Sequence, residues 1–264
     1  MNLSRDSRPS PADFTPGPGN STILAPPSNI LNAGLAVPNL VTGSRVADSE
    51  QAEVFEFGVK AQFDRIGFNV ALFTQTLEDF QANIFTGTGF VLANAGQQTT
   101  NGFEFDTTIV PIDPLVLTFA LTYLDPTFDE FPDGPLGDLT GQAAAGIAEF
   151  NISTSATYTH EFNDGSSLIG RIDYNHESNV DINNGLIVFN GDGFSDEIFQ
   201  REVNLVNAAL TYRFTNGFEA SVFARNLFDD EFLTTVFDSV AQAGSVSGYP
   251  NSPRTFGGTL RYRF

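Results

Sequence analysis

The sequence contains no cysteine and no tryptophan, a single lysine (Lys60) and few charged residues. Without cysteine it has no disulfide framework, no thiolate nucleophile and no cysteine-ligated metal site. Charged residues make up 17% of the chain, compared with roughly 25% in soluble globular proteins. The 32 acidic residues outnumber the 12 basic ones and give a formal net charge of −20. This balance excludes nucleic acid as a partner and docking on an anionic membrane surface, because both need a basic patch.

The 264-residue chain also lacks a segment with the composition of a transmembrane helix. Its longest charge-free run, residues 14–44, contains five prolines, and each proline costs about 3 kcal/mol in a helix interior. We therefore predict that residues 1–52 form a proline- and glycine-rich loop or linker and that residues 53–264 form the folded domain. The first arginines are not followed by the apolar stretch of a signal peptide.

Phenylalanine (27 residues) and glycine (24 residues) are abundant, and from Glu53 onward apolar and polar side chains alternate. A period of two is the pattern of β-strands with two different faces. It predicts nine strands, at residues 53–63, 67–78, 99–111, 114–125, 149–162, 166–178, 201–214, 217–228 and 255–264. Several are longer than the roughly five or six residues typical of soluble sheets, and they match the roughly 9–11 residues with which a tilted strand crosses a bilayer.

The connections between these strands alternate in length. Short connections are expected at residues 64–66, 112–113, 163–165 and 215–216. Long ones are expected at residues 79–98, 126–148, 179–200 and 229–254. Transmembrane barrels have tight turns on one side of the membrane and long loops on the other. The pattern therefore predicts an all-β fold, an antiparallel transmembrane β-barrel with apolar side chains toward lipid and polar ones toward a lumen. Aromatic residues that could form girdles at the two interfaces flank the apolar sets: Phe103, Phe105, Phe119, Tyr123, Tyr212 and Phe214.

The C-terminal residues carry a resemblance to a known family. The segments 226–232 (NLFDDEF), 253–257 (PRTFG) and 259–264 (TLRYRF) resemble the end of a TonB-dependent outer-membrane receptor. Earlier segments agree: 56–60 (EFGVK), 77–81 (LEDFQ), 94–96 (NAG) and 102–105 (GFEF). The resemblance covers residues 53–264. It implies about nine C-terminal strands of a larger barrel of the 22-strand type, which closes around a plug.

The same resemblance implies that a signal peptide, a TonB box, a plug and the first barrel strands are missing. We therefore expect the chain to be the C-terminal portion of a receptor, through truncation, a split gene or an incomplete reading frame. The implied function is uptake of a scarce nutrient, such as a ferric siderophore, cobalamin or an oligosaccharide, across the Gram-negative outer membrane. The implied partners are outer-membrane lipid, the N-terminal plug and barrel half, the TonB system and the small-molecule nutrient.

The end of the chain also resembles a recognition signal. Leu260, Tyr262 and Phe264 stand at alternate positions up to the last residue, as in the signal by which the barrel-assembly machinery recognises its clients. Two other interpretations stay open at this point. One is a small self-standing porin or adhesin barrel; the other is a soluble all-β binding module whose outward phenylalanines pack against a second sheet.

Charged residues within the polar sets of the strands are the candidate site. We expect them to point inward as a network that satisfies buried polar groups, with a substrate path as the alternative. The set comprises Arg171, Asp173, Glu219, Arg225, Arg261 and Arg263, together with Glu104 and Asp106. Asn226 and Asp229 are interpreted as structural residues, placed where a strand leaves the membrane.

The long loops are acidic, but their pattern favours solvated loops over an ion site. One loop contains Asp125, Asp129, Glu130, Asp133 and Asp138, and another contains Asp181, Asp192, Asp196 and Glu197. Clustered carboxylates can bind calcium, and the segment from Asp181 begins like a calcium-binding loop. In that loop, however, Gly185 stands where a ligand is needed and Leu186 stands where the required glycine belongs. The two histidines, His160 and His176, lie on different predicted strands. We find no arrangement of nucleophile, base and acid, and we predict no metal, no cofactor and no catalysis.

Overall fold

Almost every residue that the structure describes lies in an antiparallel strand or in a connection between two strands. The structure is a computed structural model that describes residues 5–7, 49–85, 90–132, 138–144, 146–182, 199–238 and 246–264. Its strands are β1 (Arg5–Ser7), β2 (Gln51–Gln62), β3 (Ile66–Phe85), β4 (Phe90–Ile112), β5 (Leu115–Glu130), β6 (Phe150–Glu161), β7 (Ser167–Asp181), β8 (Gln200–Arg213), β9 (Phe218–Arg225), β10 (Leu233–Asp238), β11 (Val246–Pro250) and β12 (Thr255–Tyr262).

Ten of these strands form one sheet in the order β1-β2-β3-β4-β5-β6-β7-β8-β9-β12, and β10 and β11 form a separate hairpin. Apart from the insertion of that hairpin, each strand pairs with the next one along the chain, so the sheet is an up-and-down meander. Within the described residues β1 and β12 do not pair, and the sheet is therefore open. The same residues include no helix that is long and apolar enough to span a membrane.

The nine predicted strands are confirmed as β2 to β9 and β12, and β1 is an additional strand that the sequence did not predict. Arg5 pairs with Glu53 and Ser7 with Gln51. Residues 5–7 are too few to show an alternation, so they are recognisable as a strand only by their pairing with β2. Most of the predicted loop at residues 1–52 lies outside the described residues, and that assignment stays a prediction.

The long connections were predicted too long. Residues 79–98 were expected to be a loop, but β3 and β4 continue their ladder as far as the pair Phe85 and Phe90. Likewise β5 extends to Glu130, and the predicted loop at 229–254 contains the β10–β11 hairpin. The extension of β3 still alternates, with Phe80, Ala82 and Ile84 set between Asp79, Gln81 and Asn83, so the sequence carried a strand signal there. The first residues of β4, 90–93, are all apolar and show no period of two. Residues 183–198 of the predicted 179–200 loop lie outside the described residues.

The register of the sheet defines two faces. Phe57 pairs with Leu72, Leu72 with Phe103, and Phe103 with Tyr123. Directly opposed residues project to the same side of a sheet, so these side chains share one side, which we call the apolar face. Large apolar side chains on it are exposed, for example Phe57 (70%), Phe256 (71%) and Leu260 (72%). We call the opposite side, which carries Glu56 and Glu104, the polar face.

Small clusters of buried side chains lie at the end of the sheet where the long connections are. One contains Ala148, Val180, Ile182, Phe199 and Val236, with Leu233 packed against it. The other is Phe131 with Phe80, Phe128 and Leu139. Because Val236 belongs to β10, the β10–β11 hairpin is held against the ends of β7 and β8. We call this the long-loop end and the opposite one the short-turn end.

Candidate functional site on the polar face

Three charged side chains form one row across three neighbouring strands at the short-turn end. Arg213 on β8 pairs with Glu219 on β9, and Glu219 pairs with Arg261 on β12. The Glu219 carboxylate accepts a hydrogen bond from Arg213 Nε at 2.9 Å and lies 3.6 Å from Arg261 Nη1. Its side chain is only 15% exposed, whereas both arginine side chains are more than half exposed. A carboxylate is thus enclosed between two guanidinium groups that still face solvent.

Arg263 joins this row from the end of the chain. Its charge acts on the Glu219 carboxylate, and its backbone N–H donates to the carbonyl of Gly217 at 2.9 Å. Gly217 has a φ of +87°, and a Cβ there would lie 2.5 Å from the Arg263 carbonyl oxygen. The short turn between β8 and β9 therefore needs glycine, and it fixes the position of the last residues beside Glu219.

Arg171 and Asp173 form a separate pair two residues apart on β7. Arg171 Nε donates to both oxygens of the Asp173 carboxylate, at 2.9 and 3.1 Å. The neighbours of Arg171 across the sheet are Thr157 and Ala209, which leave room for its side chain. This pair is neutral as a unit, so it adds no net charge to the polar face.

Arg225 contacts an aromatic ring. Its guanidinium carbon lies 5.4 Å from the centroid of the Phe223 ring, which is the geometry of a cation–π interaction. Phe223 in turn covers Gly257 on β12, where a Cβ would be 2.4 Å from the ring. The predicted charge set is thus divided. Glu219 and Arg261 form an ion pair, and the charge of Arg263 acts on the same carboxylate. Arg171 and Asp173 pair with each other, and Arg225 lies over a ring.

Arg213 is the member of the row that the sequence analysis missed. It belongs to the polar set of β8 and stands close to the short turn at residues 215–216, with Glu219 on the other side. Counting outward from the turn would have identified the two as cross-strand partners, because a tight hairpin fixes its own register. Alternation along a single strand does not reveal the row, because it contains no information on which residues pair across strands.

A second group of charges lies on β2, β3 and β4. Glu56, Lys60, Asn69, Glu104 and Asp106 line a depression of about 420 Å³. The Asn69 amide donates to both oxygens of the Asp106 carboxylate, at 3.0 and 2.8 Å. With three carboxylates and one ammonium, this side of the polar face is net acidic, whereas the row on β8, β9 and β12 is net basic. The predicted inward residues Glu104 and Asp106 therefore lie apart from the arginines.

Asn226 organises the point where β9 ends. It is almost fully buried and has a φ of +50°, a conformation that asparagine tolerates better than most residues. Its Nδ2 donates to the carbonyls of Asp230 (2.9 Å) and Ser252 (3.3 Å), and its Oδ1 accepts from the Asp230 N–H at 2.8 Å. One side chain thus holds the residues that leave the sheet and those that return to it.

Asp229 and Arg254 complete this cluster. The Arg254 N–H donates to Asp229 Oδ1 at 2.9 Å, and Arg254 Nη2 lies 3.4 Å from Asp229 Oδ2. Asn251 Nδ2 also donates to the Asp230 carbonyl, at 2.8 Å. Two of the three C-terminal motifs on which the resemblance rests, 226–232 and 253–257, are therefore in contact on either side of the β10–β11 hairpin. We call Asn226, Asp229, Asp230, Asn251 and Arg254 the Asn226 cluster.

The terminal signal residues lie on the apolar face at the short-turn end. Leu260, Tyr262 and Phe264 are all more than half exposed. The Tyr262 ring lies 4.6 Å from that of Phe218 and 6.5 Å from that of Phe264. Further along the same end, the Tyr212 ring lies 4.7 Å from that of Phe214. These rings form a row of aromatic side chains at one edge of the apolar face.

The acidic long loops hold no candidate metal site within the described part of the chain. Asp133, Asp192, Asp196 and Glu197 lie outside it. Asp138 accepts the Thr140 N–H at 2.9 Å, and hydrogen bonds from the Thr140 side chain and backbone lower the pKa of its carboxyl group. The histidines lie on different strands, as predicted: His160 contacts Phe162, and His176 Nδ1 lies 3.0 Å from the Asn204 side-chain oxygen.

Comparison with solved structures identifies similar folds. The ferric yersiniabactin uptake receptor of Yersinia pestis aligns with a TM-score of 0.72 and 16% identity, over 99% of this chain and 34% of the receptor. The ferric preacinetobactin receptor of Acinetobacter baumannii aligns with a TM-score of 0.57 and 16% identity, over 83% of this chain and 30% of the receptor. The ferric-catecholate import receptor of E. coli K12 aligns with a TM-score of 0.59 and 18% identity, over 83% and 28% respectively.

The chain thus spans about a third of the length of these solved receptors. No curated protein sequence matches it. A family model described as TonB dependent receptor-like, beta-barrel, matches residues 2–227. This match begins well before the predicted resemblance at residue 53 and overlaps most of it. The chain therefore belongs to the TonB-dependent receptor family and forms part of its β-barrel.

Proposed function

We propose that this chain is the C-terminal barrel portion of a transporter in the Gram-negative outer membrane, which takes up a scarce nutrient with energy from the TonB system. Family membership is the observation that carries this proposal. A ferric siderophore is the nutrient class we favour, since the three similar receptors are named for ferric yersiniabactin, ferric preacinetobactin and ferric catecholates. The proposal is transport without a catalytic step or a cofactor.

The two faces of the sheet support this assignment. The exposed Phe57, Phe256 and Leu260 would meet outer-membrane lipid, because nothing in the described part of the chain covers them. The polar face would line the lumen, with the predicted charges in three separate parts: Glu219 with Arg261 and Arg263, Arg171 with Asp173, and Arg225 over the Phe223 ring. Charged side chains are tolerated in the lumen because water and opposite charges stabilise them there, whereas lipid cannot solvate them.

The remaining parts of the transport cycle would come from other partners. A plug, further barrel strands and the contact with TonB belong to the N-terminal part of such a receptor. Leu260, Tyr262 and Phe264 would serve earlier, when the barrel-assembly machinery inserts the protein. Their exposure on one face at the end of the chain leaves them accessible for that step.

The test is nutrient uptake by the complete receptor that contains this chain, produced in cells without other iron receptors. We expect the protein in the outer-membrane fraction and uptake of radiolabelled iron from a ferric catecholate. Deletion of tonB should abolish the uptake. TonB-independent passage of many small solutes would instead indicate a porin, and recovery of the protein from the soluble fraction would contradict both.

A further inference from the structure

The row Arg213–Glu219–Arg261 carries more positive charge than it can neutralise internally. Arg213 and Arg261 contact the Glu219 carboxylate, and the charge of Arg263 also acts on it, so these four side chains together carry a formal net charge of about +2 in a chain whose formal charge is −20. Arg213 and Arg261 also remain more than half exposed. Each guanidinium has five N–H donors, and Glu219 occupies only part of them.

We propose that this row binds an acidic segment of a protein, with two carboxylates engaging Arg213 and Arg261 on either side of Glu219. Neighbouring strands are about 4.8 Å apart, so the two arginines start about 10 Å from each other. Alternate side chains of an extended segment are about 7 Å apart on one side, and flexible arginine side chains can cover the difference. Planar guanidinium groups bind carboxylates through two parallel hydrogen bonds, which makes this match specific.

The Glu219 carboxylate at the centre of the row favours a partner with two separated anionic groups over a single compact anion. A phosphate placed between the arginines would lie against Glu219, which is held there by Arg213 at 2.9 Å, and like charges repel. Two carboxylates spaced apart avoid this position and contact the outer side of each arginine. The row therefore distinguishes an Asp- or Glu-containing segment from inorganic phosphate.

The row is also rigid, which favours binding. Its residues lie on paired strands next to a short turn, and Gly217 connects that turn to the backbone of Arg263 at 2.9 Å. A preformed site loses little conformational entropy when a partner binds. The proposal rests on the register of β8, β9 and β12, and it uses the proposed function only to place the row at one opening of the lumen.

The test measures peptide binding to the full 264-residue chain in detergent micelles. The probe is a fluorescein-labelled Gly-Asp-Gly-Asp-Gly peptide followed by anisotropy, with the Asn-for-Asp peptide as the uncharged control. We expect saturable binding of the acidic peptide only, which weakens with added salt because exposed charges are screened. The double variant Arg213→Gln and Arg261→Gln should bind about tenfold more weakly.

Two further variants make the result specific. Glu219→Gln removes the competing carboxylate and should tighten peptide binding, which a purely structural role of Glu219 would not do. Arg65→Gln removes one positive charge at the same end of the sheet, where Arg65 is paired with Asp113 at 2.8 Å, and should leave binding unchanged. Circular dichroism checks that each variant keeps its strand content.

Several outcomes would overturn the proposal. Binding that is equal in the double variant and the parent chain would remove the role of the row. An equal loss in Arg65→Gln would indicate a nonspecific charge effect, and displacement by inorganic phosphate as efficient as by the peptide would indicate a small-anion site. A Glu219→Gln chain that keeps its strands but binds more weakly would also contradict it. None of these results bears on iron uptake, so the two proposals fail separately.

Discussion

The ring of Phe223 lies over Gly257 on the neighbouring strand, so closely that a Cβ at position 257 would be 2.4 Å from it. Phe73 and Gly102 repeat the arrangement on β3 and β4, with a corresponding distance of 2.0 Å. Glycine within a strand often marks such a close approach. These rings account for two phenylalanines on the polar face, where the alternation predicts polar residues.

Gly257→Ala should therefore destabilise the sheet. The new methyl group displaces the Phe223 ring and its contact with Arg225, and overpacking of this kind costs about 1–2 kcal/mol. Gly258→Ala is the matched control, because its Cβ points to the apolar face and has its nearest neighbour, Ser221 O, at 3.4 Å. Urea unfolding in detergent micelles measures both changes. Equal effects at the two positions would show that the ring does not depend on Gly257.

Charge substitutions on β6 should distinguish the two faces. Ala156 lies on the apolar face between Leu117 and Ile172, whereas Ser153 lies on the polar face between Ala120 and Asn175. An arginine facing lipid at mid-membrane costs about 2–4 kcal/mol. Ala156→Arg should thus lower the yield of receptor folded into lipid vesicles, and Ser153→Arg should not. A similar yield for both would mean that the faces are assigned in the wrong register.

The open edges of the sheet should prevent the isolated chain from inserting into a bilayer as a stable monomer. Within the described residues β12 pairs only with β9, and β2 pairs with β1 only at Gln51–Glu53. Each unpaired backbone group costs several kcal/mol in lipid, so the edges together cost tens of kcal/mol. This exceeds a typical folding stability of about 5–15 kcal/mol.

We therefore expect the chain refolded into lipid vesicles to aggregate, form closed oligomers or stay protease-sensitive. Detergent micelles, where water reaches the edges, serve as the control and should keep it dispersed. Cross-linking and protease protection distinguish these states. A protease-protected monomer in vesicles that conducts solutes would show that the chain closes into a small barrel by itself.

Removing the Asn226 side chain should open the long-loop end. Asn226→Ala loses buried hydrogen bonds, which costs about 1–3 kcal/mol, and it places alanine at a positive φ. We expect faster tryptic cleavage after Arg254, which the cluster holds through Asp229. Asn226→Gly accepts the backbone conformation and isolates the loss of hydrogen bonds. If cleavage after Arg254 is unchanged in both variants, the cluster does not hold the returning chain.

The short turn between β6 and β7 should contribute a pH-dependent stability. Hydrogen bonds from the Ser166 side chain and backbone lower the pKa of Asp164. A carboxyl group with a lowered folded-state pKa stabilises the fold above its unfolded pKa of about 4, and this stabilisation is lost as the pH falls through the folded value. Asp164→Asn cannot ionise, so its urea midpoint should change less between neutral and acidic pH. An unchanged pH dependence would exclude this contribution.

The sequence by itself determined which side chains share a face. Phe57, Leu260 and Glu219 lie on the sides that the alternation predicts, because a strand turns successive side chains to opposite sides whatever its partner is. Strands long enough to cross a membrane were predictable for the same reason. A strand with an apolar and a polar side must alternate apolar and polar residues along its length. The resemblance over residues 53–264 also predicted the family from the residues alone, and the family model that matches residues 2–227 confirms the family.

Only the tertiary structure decided which residues meet. Arg213 and Glu219 are paired by the register of a hairpin, and Asn226 and Ser252 by the return of the chain after the β10–β11 insertion. Pairing also decided how far β3 and β4 extend: their ladder continues to Phe85 and Phe90, although residues 90–93 of β4 are all apolar and do not alternate. Alternation sets the direction in which one strand points its side chains, and pairing between strands sets every distance across the sheet.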